Sequence, residues 1–163
     1  MKTTNSNTIN PEFSGSKNKK ESDKKDPLLL ANQLCFPLYA ASRKIIRLYT
    51  PLLEPIGLTY TQYITLMVLW EEDSTNIKSL GDRLLLDSGT LTPLLKKMES
   101  EGLIIRKRDQ NDERNVRVSL TGKGRALREK AAEIPNRMSE CIPLAAEDVS
   151  TLYRILYRLI DQS

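Results

Sequence analysis

The 163 residues are 39 % apolar and 28 % charged, enough for one domain with a buried core. No apolar run approaches the roughly 18–20 residues that cross a bilayer, and the polar N-terminus has no apolar stretch of the secretory-signal kind, so no membrane partner is expected. The chain has no histidine and only two cysteines. This excludes Ser-His and Cys-His catalysis and ordinary zinc sites, argues against a disulfide scaffold, and fits a reducing, cytoplasmic compartment.

Net charge is +4, but residues 103–130 alone carry nine Lys/Arg against four Asp/Glu. That concentration suits contact with a polyanion, although a solvated basic loop gives the same count.

Residues 1–25 are mostly Asn, Ser, Thr and Lys, cannot bury enough surface to order themselves, and read as a disordered tail ahead of a single domain over 26–163. Asp26-Pro27 pairs a capping carboxylate with a proline suited to the first helical position. It opens a helix expected to run to about Leu53, bent at Pro37 and ended by "EPIG". Thr59 caps a second helix, "YTQYITLMVLWEE", apolar enough for the core. Ile77, Leu80 and Leu84 recur at i, i+3 and i+7 and define a short amphipathic helix. "SGTLTPLLKKMESEGL" repeats the pattern with Leu91, Leu94, Leu95 and Met98 before Gly102 stops it. Two short helices joined by a tight turn are the helix-turn-helix pattern. The second of them opens on Ser88, Thr90 and Thr92, small hydroxyl side chains that allow close approach to phosphates and base edges, with Lys96 and Lys97 beyond.

"LIIRKR", "DQNDER" and "NVRVSLT" then read as strand, turn and strand, a basic wing with Arg114 at its tip, placed to reach a minor groove. Thr121 caps a long helix, "GKGRALREKAAEIPNRMSECIPL", expected to break at Pro135. A last amphipathic helix from about Ala146 to Ile160 carries Val149, Leu152, Ile155, Leu156 and Leu159. The fold class is mainly α with a small β-wing: a winged helix-turn-helix over about 59–120, with dimerisation helices over about 27–53 and 121–162. Apolar residues at both chain ends exceed what the winged centre can cover. This predicts a homodimer that sets two recognition helices on successive major grooves of double-stranded operator DNA.

Over about residues 27–162 the sequence resembles the MarR family of dimeric winged-helix repressors, whose wing pattern of Asp-x-Arg followed by Leu-Thr stands here as Asp112-Glu113-Arg114 and Leu120-Thr121. "NQLCFPLY", "GLTYTQY", "LDSGTLTPLLKKMESEGLI" and "DERNVRVSLT", in that order, are similar to its organic-hydroperoxide-sensing branch, usually called OhrR. The resemblance implies that Cys35, in its "NQLCF" context, is the peroxide-reactive residue, with an organic hydroperoxide as inducer. It implies that Tyr49 and Tyr60 supply hydroxyls to the sensor pocket and that Tyr39 lines it. It assigns DNA reading to Ser88, Thr90 and Thr92, a backbone contact to Lys97, and the wing contact to Asp112 and Arg114. Cys141 stands where a two-cysteine subset carries a resolving residue that forms an intersubunit disulfide, although "MSECIPL" around it departs from that subset's pattern. No cofactor and no metal are implied.

The residues themselves leave alternatives open. A cysteine in an apolar run is usually a small buried hydrophobe, Cys141 equally so, and each tyrosine has ordinary core packing as its simplest explanation. Cys35 and Tyr39, four apart, share a helix face. Cys35 and Tyr49 would lie about 21 Å apart on one straight helix, so a Tyr49 hydroxyl at Cys35 implies a partner subunit or a sharply folded chain. With the helix start expected two turns earlier, Cys35 depends on tyrosine hydroxyls to stabilise a thiolate or sulfenic acid, and an apolar surround favours organic peroxides. A MarR-type regulator released by a small aromatic ligand would not depend on Cys35. A thiol peroxidase would leave the helix-turn-helix and wing unexplained, so the chain is read as a repressor and not an enzyme.

Overall fold

The computed structural model describes residues 26–109 and 115–161; the tail over 1–25 and the wing tip therefore lie outside the described residues. The residues up to Ala40 form one unit and those from Ala41 a second.

In the first unit the expected helix start at Asp26 is corrected. Asp26 caps only a turn: its Oδ1 accepts from Leu28 N at 2.9 Å, and its carbonyl accepts from Asn32 Nδ2 at 2.8 Å. A 3₁₀ turn at Leu30–Asn32 follows, flanked by extended backbone at Leu29 and Gln33, and helix α1 begins at Cys35 and runs to Leu53. Pro37 explains the late start. As the third residue of α1 its missing N–H costs nothing, because first-turn donors have no helical acceptor. A helix running through it from residue 27 would lose that bond and clash with the Gln33 carbonyl. Pro37 thus sets where α1 begins, and does not bend it.

In the second unit the chain leaves α1 through a turn at Glu54–Ile56 that ends on Gly57, whose φ of 71° is left-handed. Helix α2, Tyr60–Glu71, starts with a reciprocal cap: Thr59 N donates to Gln62 Oε1 at 2.8 Å while Thr59 Oγ1 accepts from Gln62 N at 3.4 Å. Then come β1 (Ser74–Asn76), α3 (Ile77–Leu84), α4 (Ser88–Ser100), β2 (Ile104–Arg108) and β3 (Val116–Leu120). The chain closes with α5 (Gly122–Ala131), α6 (Ile134–Cys141) and α7 (Ala146–Ile160). The three strands are antiparallel in the order β1-β3-β2, with Val118 of the central strand opposite Thr75 and Arg106. The break in the expected long helix falls at Ala132–Glu133, and Pro135 occupies the first turn of α6, where its missing donor is harmless.

Leu66 and Leu69 of α2 are fully buried against Leu80, Leu91, Leu95, Met98, Ile104 and Val118, so α2 is the central core helix that its composition predicts. Each such side chain contributes on the order of 1.5–3 kcal/mol by leaving water. Gln62, also buried, spends its amide on Glu101 Oε2 at 2.6 Å, and Trp70 Nε1 donates to the Gly124 carbonyl at 2.9 Å, tying α2 to α4 and α5. Among the described residues no buried side-chain polar atom lacks a partner.

Candidate functional site

The helix-turn-helix is assembled by two side-chain caps. Asn76 Oδ1 accepts from Ser79 N at 2.7 Å to start α3. The turn that follows uses Leu85 at φ 54°, and Leu86 N returns to the Gly81 carbonyl at 3.0 Å. Asp87 then starts α4, its Oδ1 accepting from Thr90 N at 3.0 Å and its Oδ2 from the Thr90 hydroxyl at 2.9 Å. The Thr90 hydroxyl foremost, and its backbone N–H next, hold the Asp87 carboxyl below its ordinary range. Ser88, Thr90 and Thr92 are all exposed on the opening turns of α4, while Leu91 and Leu95 are buried. Because Thr90 donates its hydroxyl proton to Asp87, what that hydroxyl offers a ligand is an acceptor. Lys97 lies farther along, exposed, with its ammonium 3.9 Å from Glu101.

The wing follows as β2 and β3, closed at its last described rung by Asp109 N donating to Asn115 O at 2.8 Å. Asp112 and Arg114 lie outside the described residues. The surplus of positive charge in this stretch is partly used internally. Arg106 pairs with Glu99, Arg125 with Asp73 at 2.6 Å, and Arg117 donates to Ser74 and approaches Asp109 at 3.8 Å. Lys107 and Arg108, on the outer half of β2, are exposed.

Cys35 is the first residue of α1 and is exposed, which rejects the small-buried-hydrophobe explanation within the single chain. It also corrects the expectation that the helix start lies two turns away: Cys35 stands in the first turn itself, where Phe36 N–H donates to the Gln33 carbonyl at 3.3 Å and Pro37 has no N–H. Tyr39, one turn on, is exposed as well. In the second unit Tyr49 and Tyr60 are brought together, ring centroids 4.9 Å apart, and Tyr63 and Trp70 extend the cluster at 5.9 and 6.2 Å. Burial pushes the Tyr49 and Tyr60 hydroxyls up from 10.0, which makes their ionised form still less accessible than in an ordinary tyrosine. Tyr63 escaped the sequence reading because nothing in its local pattern separates it from core; only its ring contact with Tyr49 does.

Cys141 ends α6 and is exposed, beside a cavity of about 350 Å³ lined by Ser139, Ile142, Leu144, Ala146 and Val149. Helix α7 buries none of its residues in the chain, leaving Val149, Leu152, Tyr153, Ile155, Tyr157, Leu159 and Ile160 exposed. A second cavity, about 390 Å³, lies between the end of α1, the start of α2 and α4, with Ile46, Thr50, Tyr60, Lys97 and Glu101 in its wall. Among the described residues no three acidic or thiol side chains gather as metal ligands would, and no helix is long and apolar enough to cross a membrane.

Residues 47–131, from late α1 through α5, match the family described as transcriptional regulator SarA/Rot. The organic hydroperoxide resistance transcriptional regulator of Bacillus subtilis (strain 168) is 48 % identical over 139 residues, 85 % of this chain and 95 % of that one. The chain belongs to the MarR-type winged helix-turn-helix transcriptional regulators. Reduced AbfR bound to DNA superposes on this regulator with a TM-score of 0.68 at 37 % identity, over 82 % of this chain and 92 % of that one. Disulfide-formed AbfR superposes less well, at 0.57 with 37 % identity, over 86 % and 99 %.

Proposed function

We propose that this regulator is a cytoplasmic, homodimeric repressor that binds operator DNA and is released when an organic hydroperoxide oxidises Cys35. The observation that carries this reading is an exposed Cys35 at the head of α1 in a chain 48 % identical to an organic hydroperoxide resistance regulator. The existence of AbfR both reduced on DNA and disulfide-formed supports release through thiol chemistry. On DNA, the start of α4 offers Ser88, Thr90 and Thr92 to a major groove and Lys97 to the backbone, while Asp112 and Arg114 carry the wing contact. The exposed apolar stripe of α7 is a surface for a second subunit, and exposed Leu34 and Phe36, in the other unit, are further apolar area for it.

The Cys35 thiolate attacks the peroxide, forming an S–O bond while the O–O bond breaks. The alkoxide takes a proton and leaves as the alcohol, and Cys35 is left as a sulfenic acid. Protonated Tyr49 and Tyr60 hydroxyls donate to the sulfur from the other subunit, and Tyr39 lines the same pocket. The Cys141 thiolate then attacks that sulfur, the S–O bond breaks, and hydroxide leaves as water on taking a proton, giving an intersubunit disulfide. Where the two Cα atoms start farther apart than about 7 Å, closing that gap moves the helices that space the recognition helices.

The cavity bearing Lys97 favours a second reading, release by a small aromatic acid seated there. DNA retardation with wild type and Cys35→Ser separates the two. Cumene hydroperoxide should release wild type and leave Cys35→Ser bound; equal release of both would overturn the sensing role. Release of both proteins by an aromatic acid alone would favour the second reading.

A further inference from the structure

We propose that Glu99 is a positioning residue for DNA reading: its carboxylate fastens the free edge of the wing to the recognition helix and so fixes the spacing between the start of α4 and strand β2 of the wing. This rests on the DNA-reading roles given above to α4 and the wing. Leu91, Leu95 and Glu99 fall at i, i+4 and i+8, so Glu99 ends the buried stripe of α4 where that stripe meets β2. Strand β2 is an edge of the sheet, and the Arg106 N–H points away from β3. That N–H donates to Glu99 Oε1 at 3.1 Å, while Arg106 Nε and Nη2 donate to Glu99 Oε2 at 3.0 and 2.6 Å. One carboxylate therefore takes three donors from one residue, standing in for the missing neighbouring strand. On the opposite flank β1 ends at Asn76, opposite Arg117, and Arg117 Nε donates to Ser74 Oγ at 3.1 Å. Beyond these two fastenings the ladder of the hairpin continues without a third strand towards Asp109 and Asn115.

The sign of the effect distinguishes positioning from simple electrostatics. Glu99 places a negative charge close to a surface that must meet a polyanion, so its neutralisation would tighten DNA binding if position did not matter. The test uses full-length protein and an operator duplex selected in vitro with wild type, with affinities measured by fluorescence anisotropy across a salt series. Glu99→Gln should weaken binding about tenfold, in the range of directly coupled side chains, with the salt slope made shallower to the same degree as in Arg114→Ala, because the displaced wing loses that cationic contact. Arg114→Ala alone should also weaken binding, and with a shallower salt slope. The double variant should bind no worse than the weaker single one, because a wing held off-register has no Arg114 contact left to lose. Arg106→Lys keeps the charge and loses the fork, and should weaken binding in the same way; it carries the test if Glu99→Gln does not fold. Unchanged or tighter binding in these variants, or strictly additive losses with Arg114→Ala, would overturn the inference. No loss in Arg114→Ala by itself would instead overturn the wing reading on which it rests.

Discussion

Gly124 is the position where a single methyl group has the largest calculable consequence. It lies in the first turn of α5, with its N–H donating to Thr121 Oγ1 at 3.0 Å and its carbonyl accepting from Trp70 Nε1 at 2.9 Å. A Cβ added there would sit 2.2 Å from the Leu103 carbonyl oxygen and 3.1 Å from Leu120 Cδ2. The near atom is backbone just before β2 and cannot rotate aside, so α5 must move by about 1 Å to restore an ordinary contact, which loosens both hydrogen bonds. Overpacking of this kind costs about 1–3 kcal/mol, which for a chain of this size lowers Tm by roughly 2–12 °C. Gly122, two residues earlier, has nothing within 4 Å of its added Cβ, so Gly122→Ala should match wild type or gain up to about 1 kcal/mol. Thermal and urea melts of the two alanine variants, with Trp70 as the single tryptophan excited selectively at its red edge, report both stability and the Trp70–Gly124 contact. Equal stability of Gly122→Ala and Gly124→Ala, with unshifted emission in both, would refute the close-approach argument.

Loss of the α4 cap in Asp87→Ala should cost about 1 kcal/mol of stability and weaken DNA binding, because Thr90 loses the acceptor that orients it; melts and anisotropy check both. Hydrogen bonds from Arg106, Arg125 and Thr90 hold the Glu99, Asp73 and Asp87 carboxyls below their ordinary 4.5, 3.8 and 3.8. Carboxyls lowered on folding stabilise fully above those ordinary values and lose the contribution as pH falls through the lowered ones. Urea midpoints should therefore stay level from about pH 7 to pH 5 and fall below about pH 4. Leu152→Asp, a charge in the exposed stripe of α7, should give a monomer by sedimentation and abolish high-affinity operator binding; an intact dimer would exclude α7 from the interface. After one equivalent of organic hydroperoxide, a non-reducing gel should show a Cys35–Cys141 crosslinked dimer that is absent in Cys141→Ser, whereas oxidised monomer with Cys141 free would leave a one-cysteine sensor.

The helices of the winged centre were legible because each announces itself locally. Thr59 and Thr121 are short oxygen-bearing side chains that cap α2 and α5, while α3 and α4 were marked by their apolar spacing and gain their caps, Asn76 and Asp87, from the structure. The two strands of the hairpin were likewise marked by β-branched residues around a polar turn. Strand β1 was not, because "STN" is three polar residues whose strand character comes only from pairing with Val116–Leu120, more than forty positions away. The start of α1 was misplaced for a related reason. Asp26-Pro27 is a good start signal, but Pro37 vetoes a helix passing through it, and the two signals compete over ten residues.

What the sequence determined by itself is therefore whatever a residue does to its own few neighbours: caps, breaks, apolar stripes, and the motifs by which Cys35, the α4 hydroxyls and the wing arginine were picked out. Burial, partnership and charge availability were decided by the tertiary structure. Tyr49 and Tyr60 become neighbours because α1 and α2 bring their rings together, and Tyr63 joins them without any local signal. Arg106, Arg117 and Arg125 look like free cations in the sequence. The fold gives them Glu99, Ser74 with Asp109, and Asp73. An ion pair or side-chain hydrogen bond depends on distance in space, and residues 7, 43 and 52 positions apart in the chain meet only when the core has packed.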